Sequence, residues 1–483
     1  MVSAGDQIQT TKKKSPGKSE MTSEIEYTGY LSPDVLKSLP VATTVGNHDA
    51  DNANYTYHFN TPNSSDLGSN GVVGGDYYFT YGNTLFMMLN TQDTNAAEHK
   101  QFMEQAIAAN PNCTWRVVTL HQDIYGSAEH SNEPEITNLR YTLVPYFEAN
   151  DVDVVLTGHD HAYSRTHILE GGHKTVEYTD DEFDAELDKD MDAGENPATR
   201  YEAPANISAD SKEPADVAYL NYLNAVMDKD AIEDTEKGET VVNPDGILYM
   251  TANSSSGSKY YDLVPRMQSY IANRWQEDVP TYSVIDVTDN TFTINTYRTD
   301  NDQKIDETFT IKKGVTEDIK SASVGNVKNQ IYTGKQIQPA IKVTLNGKTL
   351  KAGKDYTVTY TDNKNTGLAK ATINGIGKYT GTQTVTFKIV PKKAVLKTVK
   401  AGKSGTATVT IGKAGGKVSG YAIQVSTDSS FKKVTTYRTA KTTYALKNLS
   451  KGKTYYVRVK AFTKVSEKNV YGAASKTIKV KAK

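Results

Sequence analysis

The sequence predicts an α/β (α+β) layered domain followed by two all-β sandwich modules, and three observations carry that prediction. Up to about residue 312, short apolar runs alternate with helical patterns, as a sheet with crossover helices requires. From Val315 onward the texture changes to Thr/Val/Ile/Tyr runs broken by Gly, Asn and Lys, with no helical period. All nine histidines lie between His48 and His173, which confines imidazole chemistry to the front of a 483-residue chain. That length suits about three domains.

Taken in order, the runs at 41–45, 85–89, 115–120 and 152–156 read as short buried strands. Residues 95–109 place Phe102, Met103 and Ile107 on one helical face and stop before Pro111. A second helix over 134–150 carries Leu139, Leu143, Val144 and Phe147 inward, with Pro145 expected to kink it. The stretch 171–245 lacks sustained periodicity and reads as a mobile acidic surface insertion with one helix near 217–227. Runs at 246–251 and 282–287 read as antiparallel strands that close a domain spanning 1–312. Turn signals at 345–348 and 362–365, and a boundary near Pro391, divide the remainder into modules 316–390 and 391–483.

Composition excludes several classes. Hydrophobic residues make up 37% and charged residues 23%, enough to bury a core, so wholesale disorder is excluded. No run approaches the ~18 consecutive apolar residues of a membrane helix, so no membrane span is expected. The single Cys113 excludes a disulfide framework and a cysteine-built zinc site. The net charge of −2 hides a split: residues 176–239 hold 20 Asp/Glu against 5 Lys/Arg, whereas 391–483 hold 22 Lys/Arg against 2 Asp/Glu.

Four apolar runs end in clusters that contain metal-ligating side chains: Gly5-Asp6, Gly46-Asn47-His48-Asp49, His121, and Gly158-His159-Asp160-His161. In open α/β sheets, ligands collect beyond the carboxyl ends of the strands, so four such clusters point at one crevice. A carboxylate, an amide oxygen and several imidazoles suit borderline transition metals better than calcium. Each cluster alone also fits a turn, a polar loop or a hydrogen-bonded core histidine. The remaining histidines have bland readings: His58 as a packing residue, His99 as an exposed helical residue, His167 and His173 as neighbours of the insertion. Tyr163 and Arg165 fit a structural role as well as substrate contact, and residues 254–258 read as a flexible loop.

Together, Gly5-Asp6, Gly46-Asn47-His48-Asp49, His121-Gln122-Asp123-Ile124-Tyr125, His130, Arg140 and the run from Gly158 through Tyr163-Ser164-Arg165 resemble the calcineurin-like metallophosphoesterases, in their purple acid phosphatase-like branch. The resemblance covers 1–312 apart from the insertion, and implies a metallophosphoesterase sandwich that hydrolyses phosphoric esters. It implies two divalent or trivalent ions of the Fe, Zn or Mn class, bridged by Asp6. Asn47, His121 and His159 match ligands of the second ion and His161 a ligand of the first. His48 matches the histidine that stabilises the transition state or protonates the leaving group, Asp49 the residue that orients it, and His130 a histidine that can contact substrate phosphate. Such a pair of ions generates hydroxide near neutral pH and clamps the phosphoryl oxygens.

Two departures modify these expectations. Gln9 stands where the purple enzymes carry an iron-binding tyrosine, so no tyrosinate absorption is expected. An Asp-x-His strand upstream of Gly5-Asp6 is missing, so the chain is expected to be an N-terminally truncated fragment or a late-start reading that lacks the first βα unit. Only one metal site is then complete, and hydrolysis is impaired.

The module 316–390 resembles a bacterial Ig-like surface β-sandwich through Tyr332-Thr333-Gly334-Lys335 and Gly375-Ile376-Gly377-Lys378-Tyr379. The module 391–483 resembles a fibronectin type III domain through the runs at 421–425 and 455–461. These resemblances imply a secreted or cell-surface bacterial protein, although 1–4 shows no signal-peptide core. The lysine excess, 20 of 22 cations, suits either a solvated sandwich surface or an anionic cell-wall polymer. No nucleic acid is expected, since no recognition motif accompanies the charge. The competing function is a non-catalytic wall-binding protein with a degenerate phosphoesterase domain.

Overall fold

The computed structural model describes residues 1–11, 20–172, 174, 176–193, 207–233 and 239–483. His173 lies outside them. The chain divides into two compact units, Met1–Gly314 and Val315–Lys483. The first unit opens with β1 (Val2–Ser3), α1 (Glu20–Tyr30), β2 (Ala42–Thr43), α2 (Tyr55–His58), β3 (Tyr77–Tyr81), β4 (Thr84–Met88) and α3 (Ala96–Ala109). There follow β5 (Trp115–Thr119), α4 (Pro134–Ala149), β6 (Val154–Thr157), β7 (Tyr163–Leu169), α5 (Asp180–Ala193) and α6 (Pro214–Met227). It closes with β8 (Thr240–Val242), β9 (Ile247–Thr251), β10 (Ile271–Trp275), β11 (Thr281–Val287), β12 (Thr291–Arg298) and β13 (Phe309–Lys312).

Seven strands form one mixed sheet in the order β10-β7-β9-β6-β5-β4-β3, with β4, β5, β6 and β9 parallel. Successive residues of β4 point to opposite faces. Leu85 and Met87 join a core with Phe102 and Met103 of α3 and Leu143, Val144 and Phe147 of α4. Phe86 and Met88 join a second core with Phe292, Ile294, Phe309 and Ile311 of the four-stranded sheet β11-β12-β13-β8. A strand covered on both faces needs apolar residues at every position, which is why these runs read as continuous. β1 and β2 form a separate parallel pair, Val2 opposite Ala42 and Ser3 opposite Thr43. Two buried bonds tie that pair to the large sheet: Thr44 Oγ1 donates to Leu89 O (2.7 Å) and Tyr77 Oη to Thr43 O (2.7 Å).

Two expectations are corrected. The run at 246–251 becomes β9, which does not close the domain but lies inside the sheet, parallel to β6 and antiparallel to β7. The acidic stretch holds two helices, not one. α5 and α6 share a core of Phe183, Leu187, Tyr219, Tyr222, Leu223 and Val226. Asp190 is buried against them, accepting from Tyr219 Oη (3.3 Å), Tyr222 Oη (3.1 Å) and Arg266 Nε (3.4 Å). Glu186 and Asp190 occupy inward positions of α5, so its apolar stripe is interrupted by carboxylates and the helical period is hidden. α4 continues through Pro145 without ending.

In the second unit, a four-stranded sheet (330–331, 382–390, 367–375, 356–361) covers a core of Val343, Leu345, Ala371, Ile373, Phe387 and Ile389. Farther along, sheets of three and five strands enclose Val409, Ile411, Ile423, Val425, Val457 and Val459. No helix among the described residues is long and apolar enough to cross a membrane.

Candidate metal centre

Each predicted ligand lies just past a strand end. Asp6 follows β1, Asn47 follows β2, His121 follows β5, and His159 and His161 follow β6. Three of them, Asp6 (φ 52°), His159 (φ 69°) and His161 (φ 48°), adopt left-handed backbone. That conformation costs a residue with a side chain on the order of 1 kcal/mol or more, and such strain collects where groups must be aimed.

The glycines that precede the ligands make room for one another's side chains. A Cβ on Gly46 would lie 2.0 Å from Asp6 Oδ1, and one on Gly5 2.3 Å from His121 Nδ1. The Gly158 position would bring a Cβ to 2.8 Å from Ala4 O. Glycine is thus required at Gly5 and Gly46 by close approach between loops, beyond any need for a turn.

Asp6, His121 and His159 each bring one ligand atom within 4.8 Å of the others. His121 Nδ1 donates to Ala4 O (2.7 Å), which leaves the Nε2 lone pair facing Asp6 Oδ2 (3.3 Å), Asn47 Oδ1 (3.0 Å) and His159 Nδ1 (3.2 Å). A backbone carbonyl that fixes the tautomer of a ligand histidine is a recurrent support for metal binding. Four lone-pair atoms therefore converge on one point, and the donor set fits a first-row divalent ion.

Protonation reflects the same crowding. Burial penalises the Asp6 carboxylate, yet the attraction of His121 and His48 prevails and holds its pKa below the usual range. Burial alone would lower the His121 pKa, but Asp6 outweighs it and raises it, so a cation bound here displaces the Nε2 proton of His121 and exposes the lone pair. Burial, reinforced by His121 and His130, pushes His159 well below an ordinary imidazole and so keeps it neutral and available as a ligand. His161 stands outside the group of three. Its Nδ1 donates to Lys259 O (3.0 Å), and its pKa is lowered chiefly by burial.

The predicted catalytic residues flank this centre. His48 Nδ1 donates to Gln9 O (2.6 Å), while its Nε2 lies 3.9 Å from Asp6 Oδ2. Asp49 does not orient the His48 ring, contrary to expectation. Its buried carboxylate accepts from Gly46 N (3.0 Å), Gln7 N (3.4 Å) and Tyr27 Oη (3.0 Å), and so ties the loops of Asp6 and Asn47 together. Burial and the nearby Asp6 push Asp49 up to about 7. His130 stacks on His159 with ring centroids 4.8 Å apart, and its Nδ1 donates to Glu133 (2.7 Å), which raises its pKa.

Asp160, between the two histidines of its motif, accepts from the backbone N–H of Ala128 (2.8 Å) and His130 (2.8 Å). It therefore fixes the His130 loop to the ligand loop, a role that sequence reading missed. Glu133 was missed as well; its spacing three residues after His130 was the available signal.

Residues read as bland divide differently. His99 is fully buried, not exposed, with Nδ1 2.7 Å from Asp76 Oδ2. His58 packs on Tyr27 at 5.1 Å between ring centroids and meets Glu24 at 2.9 Å. His167 projects from β7 as an exposed side chain. Tyr163 Oη (2.7 Å) and Arg165 Nη2 (3.0 Å) both donate to the buried Asp306. Arg140 is buried, donating to the carbonyls of Ile124, Ser131 (3.4 Å) and Ala225 (3.2 Å) and to Tyr270 Oη (3.2 Å).

Residues 1–163 match the calcineurin-like phosphoesterase family and residues 396–477 the fibronectin type III domain. Uncharacterized proteins from two strains of Mycobacterium tuberculosis are 26% identical over 156 residues, spanning 27% of this chain and 29% of their own length. A purple acid phosphatase from yellow lupin seeds aligns with 65% of this chain and 53% of its own, at 13% identity and a TM-score of 0.33. The sixth fibronectin type III domain of human fibronectin type III domain containing protein 3 aligns with 19% of this chain and 85% of its own, at 22% identity and a TM-score of 0.16. The chain thus carries a calcineurin-like metallophosphoesterase domain at its front and a fibronectin type III domain near its end.

Proposed function

We propose that this chain is a metal-dependent hydrolase of phosphoric esters, acid phosphatase-like in its chemistry, that holds one ion tightly. The convergence of Asp6, Asn47, His121 and His159 on one point carries the reading. An ion held there supplies Lewis acidity toward a phosphoryl oxygen and toward water. The first-ion set amounts to Asp6 and His161 among the described residues, so a second ion is held weakly and turnover is low.

The chain's own groups account for the rest. His130, whose Nδ1–H donates to Glu133 and whose pKa that contact raises, offers an Nε2–H to a phosphoryl oxygen beside His159 when it is imidazolium. His48, anchored through Nδ1 by Gln9 O, delivers a proton from Nε2 to the leaving oxygen when it is imidazolium. Asp160 and Asp49 position the loops and touch no substrate.

The test is hydrolysis of an aryl phosphate by the full chain loaded with zinc, manganese or iron. Turnover abolished by chelation and restored by metal is the expected result. Absent turnover with metal demonstrably bound supports the second reading, a non-catalytic surface protein. That reading, and a secreted or cell-surface location, draw on the terminal module, whose 22 cations against 2 acids suit an anionic cell-wall polymer. An Ig-like identity for 316–390 belongs to the same proposal. Sedimentation with purified wall polymer that weakens steeply with salt is the expected signature.

A further inference from the structure

Because β9 runs parallel to β6, the loop that leaves it emerges at the sheet edge that carries His121 and His159. Its segment Lys259-Tyr260-Tyr261 is fastened to the metal centre through backbone atoms. His161 Nδ1 donates to Lys259 O (3.0 Å), and Gln276 Nε2 donates to His161 O (2.6 Å) and Tyr261 O (3.3 Å).

The Tyr261 ring sits edge-on to His130, with centroids 4.6 Å apart, and 5.0 Å from the His161 ring. His130 in turn stacks on His159, so contiguous rings lead outward from the ligand cluster. At the end of that path is a cation. Lys259 Nζ lies 4.1 Å from the centre of the Tyr261 ring and donates to the Tyr261 hydroxyl. Among the described residues no carboxylate pairs with it. The exposed Lys259 arm lies along a ring that borders the centre, where the cation and the ring face attract each other.

We propose that Lys259, set in place by Tyr261, anchors a second negative group of the substrate, so that the cleft selects phosphate esters bearing a further phosphate or carboxylate on their organic part. This rests on the phosphoesterase reading above. The scissile phosphoryl lies at the ligand cluster beside His130. The organic part runs along the His130 and Tyr261 rings, and its second anion meets the Lys259 ammonium. Lys259 binds by charge and Tyr261 acts as the positioning residue.

The metal-loaded full chain, its Lys259→Met variant and its Tyr261→Phe variant are compared on phenyl phosphate, 4-carboxyphenyl phosphate and a nucleoside 3′,5′-bisphosphate. Loss of a charge-assisted bond predicts that Lys259→Met lowers kcat/KM about tenfold more for the doubly anionic esters than for phenyl phosphate. Tyr261→Phe, which keeps the ring and removes the hydroxyl, gives a smaller change in the same ratio. Whether the carboxylate or the bisphosphate loses more identifies the second anion. An equal loss on all three esters overturns the anchor.

Calorimetric binding of the non-hydrolysable 4-carboxyphenylphosphonate and phenylphosphonate to the same proteins separates the two readings. If no ester is turned over but Lys259→Met still weakens 4-carboxyphenylphosphonate about tenfold more than phenylphosphonate, the anchor stands and the hydrolase reading fails. If the two phosphonates are weakened equally or not at all, the anchor fails whatever the turnover.

Discussion

The first unit contains two buried polar clusters that solve opposite problems. Around Asp306, every acceptor is met: Arg165 Nε and Nη2, Tyr163 Oη (2.7 Å), Asn273 Nδ2 (2.7 Å) and the Glu307 N–H (2.7 Å) all donate to one carboxylate. Around Asp6, once His121 Nε2 has given up its proton, acceptors face acceptors: the imidazole lone pair points at a carboxylate, an amide oxygen and a second imidazole. The first cluster is complete and stabilises the fold. The second is short of positive charge, and that deficit is the affinity for a cation.

The strongest way to break this comparison is to remove a ligand. His121→Ala should abolish metal binding and lower aryl phosphate turnover by about a thousandfold, since a bound ion contributes several kcal/mol to the transition state. The apo protein should lose only about 1–2 kcal/mol, for the cavity left by a buried imidazole and the bond to Ala4. Metal analysis and calorimetry on the same sample check both halves.

Arg165→Met should do the reverse. It strands a buried carboxylate, so stability falls by about 3–5 kcal/mol while metal content is unchanged. A variant that lost metal and kept its stability would erase the distinction between the clusters.

His48→Ala sharpens the second cluster. Turnover should drop about a hundredfold at constant metal content, as loss of a general acid predicts. A rate unchanged in that variant removes His48 from the chemistry.

The smallest effect is in the acid limb. Burial alone would raise the Asp306 pKa, but Arg165 and Tyr163 outweigh it, so the folded value lies below the unfolded one near 3.9. Its contribution is therefore present above the unfolded value and is lost as pH falls through the folded value. Wild type should lose this increment below about pH 4, whereas Arg165→Met, which lacks it, should show a shallower decline there. Denaturant midpoints between pH 7 and 2 are the measurement.

Much of the site was legible in the sequence because a strand end followed by glycine and a ligand is a local pattern. Asp6, Asn47, His121 and His159 could be listed without knowing which strands pair. What depended on pairing was not legible. The run at 246–251 has the same apolar texture whether parallel or antiparallel, so the loop bearing Lys259 and Tyr261 could not be assigned to the cleft. His99 reads as an exposed helix position because its partner, Asp76, is 23 residues away and makes a polar helix position an inward one. Asp49 adjoins His48 in sequence, yet its bonds run to Gln7 and Tyr27, which no spacing rule connects. α5 was hidden because two of its core-facing positions are acids.

Arg140 bears on how the domain could be re-engineered. One guanidinium spans Ile124 and Ser131, on either side of the segment that turns into His130, and Ala225 of the helical insertion. Tyr125 makes the same crossing through Asp228. Excising 176–228 as a removable cassette would take away Ala225 O and Asp228, leaving one Arg140 nitrogen and the Tyr125 hydroxyl without these acceptors, so minimised versions of this domain need replacements at Arg140 and Tyr125 together and must keep β8, which pairs with β13.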